Sequence, residues 1–457
     1  MKKKILLINA INPVIEVEQR YPSLGLGYLA SSLRKHFGKD AFLFKIIDRD
    51  IEKEIIAFSP DLIGISSVSQ NFNLAKKYAE IAKTKNIPVI AGGIHISMLP
   101  ESLSKDMDLG CIGEGEITVI EIMELFLEQG KFPKEELKKI KGICYEENGK
   151  IVLTEPRDLI ENLDSVPFPA REILKIEKHS YVFSSRGCPY RCVFCASSRY
   201  WARVRLFSAE YILKEIKELV EKYNVTLISF FDDLFIIDKE RIEKLVSLLK
   251  KEKFYGKVKF TCSCRANLVN DDIVKLLKEM GVVSVGMGLE SGCEKTLNYL
   301  KGGSVTVKDN TRAIKILKEY GISADASFII GSPYETKAEM LETYNFIKKN
   351  PLDLVDTYTL TPLPGTPVWE FAEKKGLVSK NMNWDLLNIN FGQNPKDALI
   401  LSEVLDRKEI WKIYKKFQRQ RFFRNLKNIW HHAYSQDFFK VAFRTISQKI
   451  NTLIKKY

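Results

Sequence analysis

Short apolar runs alternate with helical periods over the first 130 residues of the chain. The apolar runs that predict strands are KKILLINA (3–10), AFLFKIID (41–48), LIGISSV (62–68), PVIAGGI (88–94) and LGCIGEGE (109–116). The amphipathic segments that predict helices are LGYLASSLRKHF, NLAKKYAEIAKTKN and ITVIEIMELFLEQ. Alternating strands and helices with apolar strands predict an α/β fold with a doubly wound parallel sheet. Ligands of such a sheet sit beyond the carboxyl ends of its strands.

A second alternation follows after a hairpin and a linker. The hairpin is predicted over 142–155 with Asn148 and Gly149 in its turn, and the proline-containing segment 163–174 is predicted to be extended. Further strands are predicted at 181–187, 227–233, 259–266, 284–291, 323–331 and 356–363. Six β/α units indicate an open, partial barrel, and barrels of this type place their chemistry at the carboxyl ends of the strands.

These patterns divide the chain into four regions. We expect a Rossmann-like domain over 1–140, the hairpin and linker over 141–177, and a partial (β/α)6 barrel over 178–395. Residues 396–457 are expected to form a basic, aromatic, helical C-terminal region. The opening MKKKILLINA has basic residues before an apolar run, as signal peptides do, but the run is too short and predicts a first strand instead.

Composition places the chain among globular proteins of a reducing compartment. It is 45% apolar and 28% charged, and it has no stretch of about 18 apolar residues that would predict a spanning helix. Its eight cysteines are scattered along 457 residues, whereas a disulfide scaffold would pack them densely into a short chain. We therefore expect reduced thiols and a cytoplasmic location.

The net charge of +13 is concentrated in the C-terminal region. Residues 411–457 hold twelve Lys or Arg and one acid, so nucleic-acid binding by the whole protein is not indicated. The aromatic residues that recur near helical spacing there are Trp411, Tyr414, Phe417, Phe422 and Phe423. One interpretation is a helix that docks on the barrel with its charges in solvent. The other is a peripheral contact with the anionic inner face of a membrane, which would suit a lipid substrate.

Three cysteines, Cys188, Cys192 and Cys195, lie close together in RGCPYRCVFCASS. Short-spaced cysteines of this kind hold iron–sulfur clusters, and three ligands leave one iron of a four-iron cluster open to an amino acid's amino and carboxylate groups. Zinc with a distant fourth ligand, supplied by His179, Cys262 or Cys264, is the alternative. For Cys262 and Cys264 we expect core or barrel-lining positions on one side of a strand.

The cysteine motif at the first strand of a six-unit region resembles the radical S-adenosylmethionine (SAM) superfamily. Later stretches agree with it in order, namely FFDDLF (230–235), SCRANLVNDD (263–272), GLESG (288–292), IIGSPYET (329–336) and PLPGTP (362–367). The resemblance implies a [4Fe-4S] cluster on the three cysteines. The residues that it implies for SAM binding are Phe194, Asp232, Asp233, Arg265, Glu290, Ser291 and Gly331.

The first sheet resembles the cobalamin-binding domain that precedes some radical SAM barrels. The similar stretches are PSLGLGYLASSLRK (22–35), PDLIGISSVSQNF (60–72), GGIH (92–95) and GEGE (113–116). The residues implied for cobalamin binding are Ser67, Ser69, Gln70, Gly92, Gly93, His95, Gly113, Glu114 and Gly115. The Asp-x-His-x-x-Gly motif, which gives cobalt a histidine ligand in other cobalamin proteins, does not occur. At His95 we expect a turn residue first and a corrin contact second.

The resemblance implies a cobalamin-dependent radical SAM enzyme that reductively cleaves SAM to a 5′-deoxyadenosyl radical. It implies methylation of an unactivated carbon of a small molecule or lipid, with an electron donor such as flavodoxin or ferredoxin. An oxidative cyclase or another non-methylating radical enzyme stays open, and so does a non-catalytic cobalamin or iron–sulfur carrier. A methylthiotransferase would carry more cluster cysteines in its first domain than Cys111 and Cys144 supply.

Overall fold

A computed structural model of the chain describes residues 2–12, 22–254, 256–387 and 398–428. It divides into two compact units, Met1–Leu219 with Thr361–Leu399 and Val220–Leu360 with Ile400–Tyr457. These units group residues by packing, so the functional boundaries that we expect at 140, 177 and 395 stay a prediction.

The first unit is built on a seven-stranded sheet with the order β2-β1-β3-β4-β5-β6-β7. Its strands are β1 Lys3–Ala10, β2 Phe42–Ile47, β3 Leu62–Ser67, β4 Val89–Gly92, β5 Leu109–Cys111, β6 Ile143–Glu147 and β7 Lys150–Leu153. Strands β1 to β5 are parallel, which confirms the predicted doubly wound sheet. The predicted hairpin is also confirmed, with Asn148 and Gly149 at positive φ in its turn. It adds to the sheet, because β6 pairs antiparallel with β5.

Helices cover this sheet, and four short ones among them were not predicted. The helices of the unit up to residue 223 are α1 Leu24–Phe37, α2 Ile51–Phe58, α3 Phe72–Lys83, α4 Ile94–Met98, α5 Gly115–Gln129, α6 Lys134–Leu137, α7 Ser197–Tyr200 and α8 Ala209–Tyr223. Helices α2 and α4 are short, and two of the five residues of α4 are isoleucines, which are weak helix formers. The last predicted strand is shorter than expected, since β5 ends at Cys111 and α5 begins at Gly115.

The core of the sheet lies where α1 and α5 pack against it. Leu26, Ala30 and Leu33 of α1 and Ile122 and Phe126 of α5 belong to one buried apolar cluster with the strand side chains. Their spacing of three and four residues places them on one face of each helix. This packing leaves the carboxyl ends of β3, β4 and β5, with the loops that follow them, as the candidate ligand edge.

The first unit also contains three short strands, β8 His179–Val182, β9 Ser185–Arg186 and β10 Arg205–Leu206. Strand β9 pairs antiparallel with β10, Arg186 opposite Arg205.

The second unit contains five parallel strands in the order β11-β12-β13-β14-β15. They are β11 Leu227–Phe230, β12 Lys259–Cys264, β13 Val282–Glu290, β14 Ser323–Ile330 and β15 Val355–Thr359. The helices between them are α9 Lys239–Lys251, α10 Asp271–Met280, α11 Glu294–Lys301, α12 Val307–Glu319 and α13 Lys337–Lys349. Capping boxes begin α12 at Thr306 and α13 at Thr336. With β8, strands occur at all six positions predicted for the partial barrel.

Residues 361–387 belong to the first unit again, and residues 400–428 belong to the second. Helix α14 (Pro367–Lys374) and Trp384 belong to the first unit, where Trp384 is almost fully buried. Helix α15 (Arg407–Asn428) packs in the second unit through Ile410, Ile413 and Phe417. This supports the docking-helix interpretation for that segment, whereas 429–457 of the predicted tail lie outside the described residues. None of the helices in the described ranges is long and apolar enough to cross a membrane.

Candidate functional site

The three clustered cysteines lie on one tightly folded loop directly after β9. The Cys195 N–H donates to the Cys192 carbonyl at 3.2 Å. Gly187 has φ +97°, and a Cβ added there would lie 2.5 Å from the Arg203 carbonyl oxygen, so only glycine fits before Cys188. All eight cysteines are at described positions, and none forms a disulfide. Three thiols on one loop fit the ligand set of a four-iron cluster with an open iron.

Hydrogen bonds from one arginine connect this loop to the segment that follows it. Arg191 Nη1 donates to the Ser198 carbonyl at 2.7 Å, and its Nη2 donates to the Ala202 carbonyl at 3.1 Å. Phe194 is half-buried beside Cys195. Across the described ranges, no three His, Cys, Asp or Glu side chains are arranged to hold a single metal ion. The thiolates of a four-iron cluster each bind a different iron atom, so they do not need to meet at one point.

A buried network of charges joins the start of the cysteine loop to the loop between β5 and α5. Arg186 donates to Glu114 Oε1 through Nη1 and to Glu116 Oε1 at 2.5 Å through Nη2. Arg205 Nη1 donates to Glu114 Oε2 at 2.7 Å, which also accepts the Ile160 N–H at 2.8 Å. The side chains of Glu114, Arg186 and Arg205 are more than nine-tenths buried. That of Glu116 is nine-tenths buried. Glu114, which we predict as a cobalamin contact, therefore has both carboxylate oxygens engaged by protein.

Aromatic rings enclose this network. The Arg186 guanidinium lies 5.7 Å from the centroid of Tyr28 and 5.5 Å from that of Trp201. Tyr200 donates its hydroxyl to the Gly113 carbonyl at 2.8 Å, which ties α7 to the same β5–α5 loop. Burial raises the pKa of Glu114, but the hydrogen bond from Arg205 and the charge of Arg186 outweigh it, so the pKa of Glu114 lies below its usual value. The carboxylate is therefore held in its charged form.

His95 joins the loops that follow β3 and β4. Its Nδ1 lies 3.0 Å from Ser69 Oγ and its Nε2 lies 2.8 Å from Ser102 Oγ, and the ring is fully buried. The ring packs on Phe72, with centroids 3.9 Å apart. Burial, and then the charge of Lys76, lower the pKa of His95 to about 3, so the imidazole is neutral. The turn expected at His95 was wrong, since the residue lies in α4 and links two serines.

The glycines at the ligand edge divide into open and packed positions. A Cβ added at Gly92 or Gly113 would meet no atom within 4 Å, so both leave space at the ends of β4 and β5. At Gly93, which has φ +89°, a Cβ would lie 2.7 Å from the Ser67 carbonyl oxygen. At Gly115 it would lie 2.9 Å from Leu29, so this glycine lets α5 approach α1. The open backbone at Gly92 and Gly113 fits the close approach of a bulky ligand such as cobalamin.

In the second unit, the predicted SAM-binding side chains collect at the carboxyl ends of β12 and β13. Arg265 Nη2 donates to Ser304 Oγ at 2.5 Å, and Lys301 Nζ lies 3.5 Å from Glu290 Oε1. Burial raises the pKa of Glu290, while the charges of Lys301 and Arg265 lower it in part. Glu290 has φ +61°, a backbone conformation that costs energy for a residue with a side chain. Lys301, which the sequence did not single out, is thus part of this cluster.

Three more predicted residues lie just after β11 and β14. Asp232 is buried and Asp233 is exposed after β11. After β14 the N–H of Gly331, at φ +85°, donates to Glu335 Oε2 at 2.8 Å. Burial raises the pKa of Glu335 to about 8, against the opposing effect of the Ser332 and Gly331 N–H groups. Glu335 was missed in the sequence, although its place four residues after Gly331 suits a carboxylate that closes the turn.

Three further residues that the sequence singled out, Ser291, Cys262 and Cys264, are buried in the second unit. Ser291 Oγ lies 2.8 Å from Thr343 Oγ1 of α13 and is fully buried. Cys262 and Cys264 are both buried on β12 with their Sγ atoms 4.0 Å apart, which confirms that they face the same side of the strand.

Comparison with known proteins adds two family matches. The family described as the Radical SAM superfamily matches residues 182–347, and the B12 binding domain family matches residues 13–123. The first match includes the cysteine loop, and the second includes the loops of Ser69 and Gly92.

Individual relatives cover most of the chain. An uncharacterized methyltransferase of Pyrococcus horikoshii is 36% identical over 384 residues, which are 79% of this chain and 81% of the relative. An anaerobic magnesium-protoporphyrin IX monomethyl ester cyclase of Rubrivivax gelatinosus is 26% identical over 89% of this chain and 76% of its own. The radical S-adenosylmethionine methyltransferase TsrM of Kitasatospora setae has a similar fold, with a TM-score of 0.68 at 17% identity over 82% of this chain and 76% of its own.

Proposed function

Because this chain belongs to the radical SAM enzymes that carry a B12-binding domain, we propose that it methylates an unactivated carbon of a small-molecule substrate. The relative at 36% identity, which is named a methyltransferase, supports this choice of reaction. When bound, a [4Fe-4S] cluster supplies the electron that cleaves SAM, and cobalamin carries the methyl group that the substrate receives.

One observation carries the proposal. The loop of Cys188, Cys192 and Cys195 belongs to the same compact unit as the open edge at Gly92 and Gly113. The Tyr200 hydroxyl and Arg186 connect the cysteine loop to the β5–α5 loop. A chain that only carried one of the two cofactors would not need both ligand sets joined in this way.

The roles that we propose for the side chains follow their chemistry. The three thiolates hold the cluster, and Asp232 and Asp233 offer carboxylates to the amino group of SAM. Arg265 offers a guanidinium to its carboxylate. The remaining SAM contacts that we propose are Phe194, Glu290, Ser291 and Gly331. The backbone and side chains that we propose at cobalamin are those of Ser67, Ser69, Gln70, Gly92, Gly93 and Gly113, with His95, Glu114 and Gly115 as their support.

The proposed reaction balances with two SAM molecules and two electrons for each methyl group. One SAM gives its methyl group and leaves as S-adenosylhomocysteine. The other is cleaved to methionine and takes the substrate's hydrogen atom, which makes 5′-deoxyadenosine. The substrate carbon loses that hydrogen and gains the methyl group. A one-electron donor of the flavodoxin or ferredoxin class supplies both electrons.

The test is anaerobic reconstitution with iron, sulfide and hydroxocobalamin, followed by SAM and a strong reductant. We expect iron–sulfur and corrin absorption after removal of unbound material, and 5′-deoxyadenosine among the products. The variant C188A/C192A/C195A should lose the cluster and SAM cleavage, whereas C293A, a buried cysteine outside the loop, should keep both. SAM cleavage by the triple variant would overturn the proposal.

A cyclase or another non-methylating radical reaction is the second candidate, favoured by the similarity to the Rubrivivax gelatinosus cyclase over 89% of this chain. Ring closure or oxidation consumes no methyl group. With candidate substrates, S-adenosylhomocysteine in step with 5′-deoxyadenosine indicates methylation. 5′-Deoxyadenosine alone indicates the second candidate, and neither product indicates a carrier.

We propose an anionic lipid surface as a partner of the exposed end of α15, which would suit a lipid substrate and a peripheral place at the inner face of the membrane. Phe422, Phe423 and Leu426 are each about half exposed or more. Basic residues surround them in the sequence, and aromatic side chains beside positive charge favour an anionic membrane surface. Flotation with anionic vesicles should fall for F422S/F423S/L426S but not for V404S, which changes another exposed apolar residue. Equal flotation of all three proteins would contradict the proposal.

A further inference from the structure

The Glu114–Arg186–Glu116–Arg205 network connects two loops that are distant in sequence. Arg186 and Glu114 are 72 residues apart, and Arg205 and Glu114 are 91 apart. On one side, Gly187 alone separates Arg186 from Cys188. On the other, Glu114 and Glu116 flank the first residue of α5, directly after the open Gly113.

The network has little freedom to rearrange. A guanidinium is a planar fork, and Arg186 uses two nitrogens on two different carboxylates. Glu114 is held in turn by Arg205 and by the Ile160 N–H. Removing any one charge would leave a buried opposite charge without compensation, which is costly. The arrangement of the two loops is therefore fixed by geometry as well as by charge.

The connection to Cys188 is equally stiff. A Cβ at Gly187 would collide with the Arg203 carbonyl, so the backbone at Gly187 packs tightly against the backbone at Arg203. Any displacement of Arg186 is consequently passed to the cysteine loop within two residues. Tyr200, from the other end of that loop, contacts Gly113 as well.

We infer that Glu114, Glu116, Arg186 and Arg205 are positioning residues that set the distance between the cysteine-bound cluster and cobalamin. The inference rests on the proposed function, because it needs both cofactors in the places argued above. Glu114 and Glu116, the two glutamates of GEGE, thus hold the cluster site at a fixed distance from the cobalamin site.

The test measures the magnetic interaction between the reduced cluster and Co(II) cobalamin in reconstituted protein by electron paramagnetic resonance. Two variants change the network without removing a hydrogen-bonding side chain. R186K keeps the charge but cannot bridge two carboxylates as the fork does, and E116Q keeps a hydrogen-bond acceptor but loses the charge. The control is R203A, which removes the exposed ion pair between Arg203 and Glu161. Arg203 lies two residues before Arg205 in the sequence.

We expect R186K and E116Q to bind both cofactors at wild-type stoichiometry and to lose or broaden the magnetic interaction, while R203A keeps it. Unchanged interaction in both variants would overturn the inference, and so would a wild-type protein that holds both cofactors without any interaction. Loss of the cluster from both folded variants would also overturn it, since the network would then build the cysteine loop. If R186K does not fold, E116Q decides. A wild-type chain that fails to retain both cofactors contradicts the proposed function itself.

Discussion

Lys301 Nζ lies 3.5 Å from Glu290 Oε1, and more than nine-tenths of each side chain is buried. Lys301 also donates to the Gly288 carbonyl, so it spans the two residues at which β13 loses its regular pairing with β14. Glu290 keeps a positive φ at this point. The lysine therefore holds a strained residue in the place where we propose SAM to bind.

Replacing Lys301 by methionine should leave Glu290 as a buried charge without its partner. We expect the free energy of unfolding, measured by urea denaturation, to fall by about 3–5 kcal/mol. The control K295M breaks the pair with Glu339 at 2.8 Å, in which the lysine is largely exposed, and should cost under about 1 kcal/mol. Equal losses for the two variants would contradict this account.

Gly187→Ala should damage the cysteine loop in particular. The new Cβ would meet the Arg203 carbonyl at 2.5 Å, so the backbone between Arg186 and Cys188 must move. We expect the iron content after reconstitution to fall several-fold. Gly130→Ala is the matched control, because Gly130 has φ +66° but open space around its Cβ position. If both variants bind iron like the wild type, the loop does not need its present path.

Glu335→Gln should change how stability depends on pH. Burial raises the pKa of Glu335 from 4.5 to about 8. Between these values the folded chain holds a proton that the unfolded chain has released, so the wild type should lose stability as pH rises through this window. Glutamine does not titrate, and its oxygen can still accept the Gly331 N–H. Urea midpoints from pH 5 to 9 should therefore diverge in favour of the variant.

The control for this titration is Glu342→Gln, which removes an exposed carboxyl from α13, the helix that follows Glu335. Its urea midpoints should run parallel to those of the wild type. Parallel curves for Glu335→Gln as well would show that Glu335 is already ionised in the folded chain at neutral pH.

Arg424→Ala should loosen the contact of α15 with the second unit. The guanidinium donates to the carbonyls of Ile347, Asn350 and Leu352, at 2.6, 2.9 and 2.9 Å, at the C-terminal end of α13. Helix-end carbonyls lack partners within the helix. We expect a loss of about 1–3 kcal/mol in unfolding free energy. Arg419→Ala, an exposed change on the same helix, should have little effect.

The sequence predicted the sheets well because their signals are local. Each parallel strand is a short apolar run, and the hairpin carries Asn148 and Gly149 at its turn. Helices α2 and α4 were missed because they are short and hold their shape through packing rather than through periodicity. Their positions depend on contacts that no window of the sequence contains.

The site was predictable where the chemistry is local and not where charges meet over distance. The spacing of Cys188, Cys192 and Cys195 is visible in eight residues. The pairing of Glu114 with Arg186 is not, since nothing near either residue indicates the other. For the same reason the sequence indicates a ligand loop or tight turn at GEGE, and a turn residue or corrin contact at His95, without indicating the buried partners of Glu114 and His95.

The burial of Trp384 limits when the first unit can finish folding during synthesis. Its ring, almost fully buried, lies 4.4 Å from that of His95 and stacks on Trp369, so the first unit's interior includes side chains from near the end of the sequence. During synthesis from the N-terminus the first 219 residues emerge long before this tryptophan. The loops that follow β3 and β4 therefore stay incompletely packed until Trp384 is available. Expression trials that stop the chain before Trp384 should consequently yield a first unit with an open seam at His95.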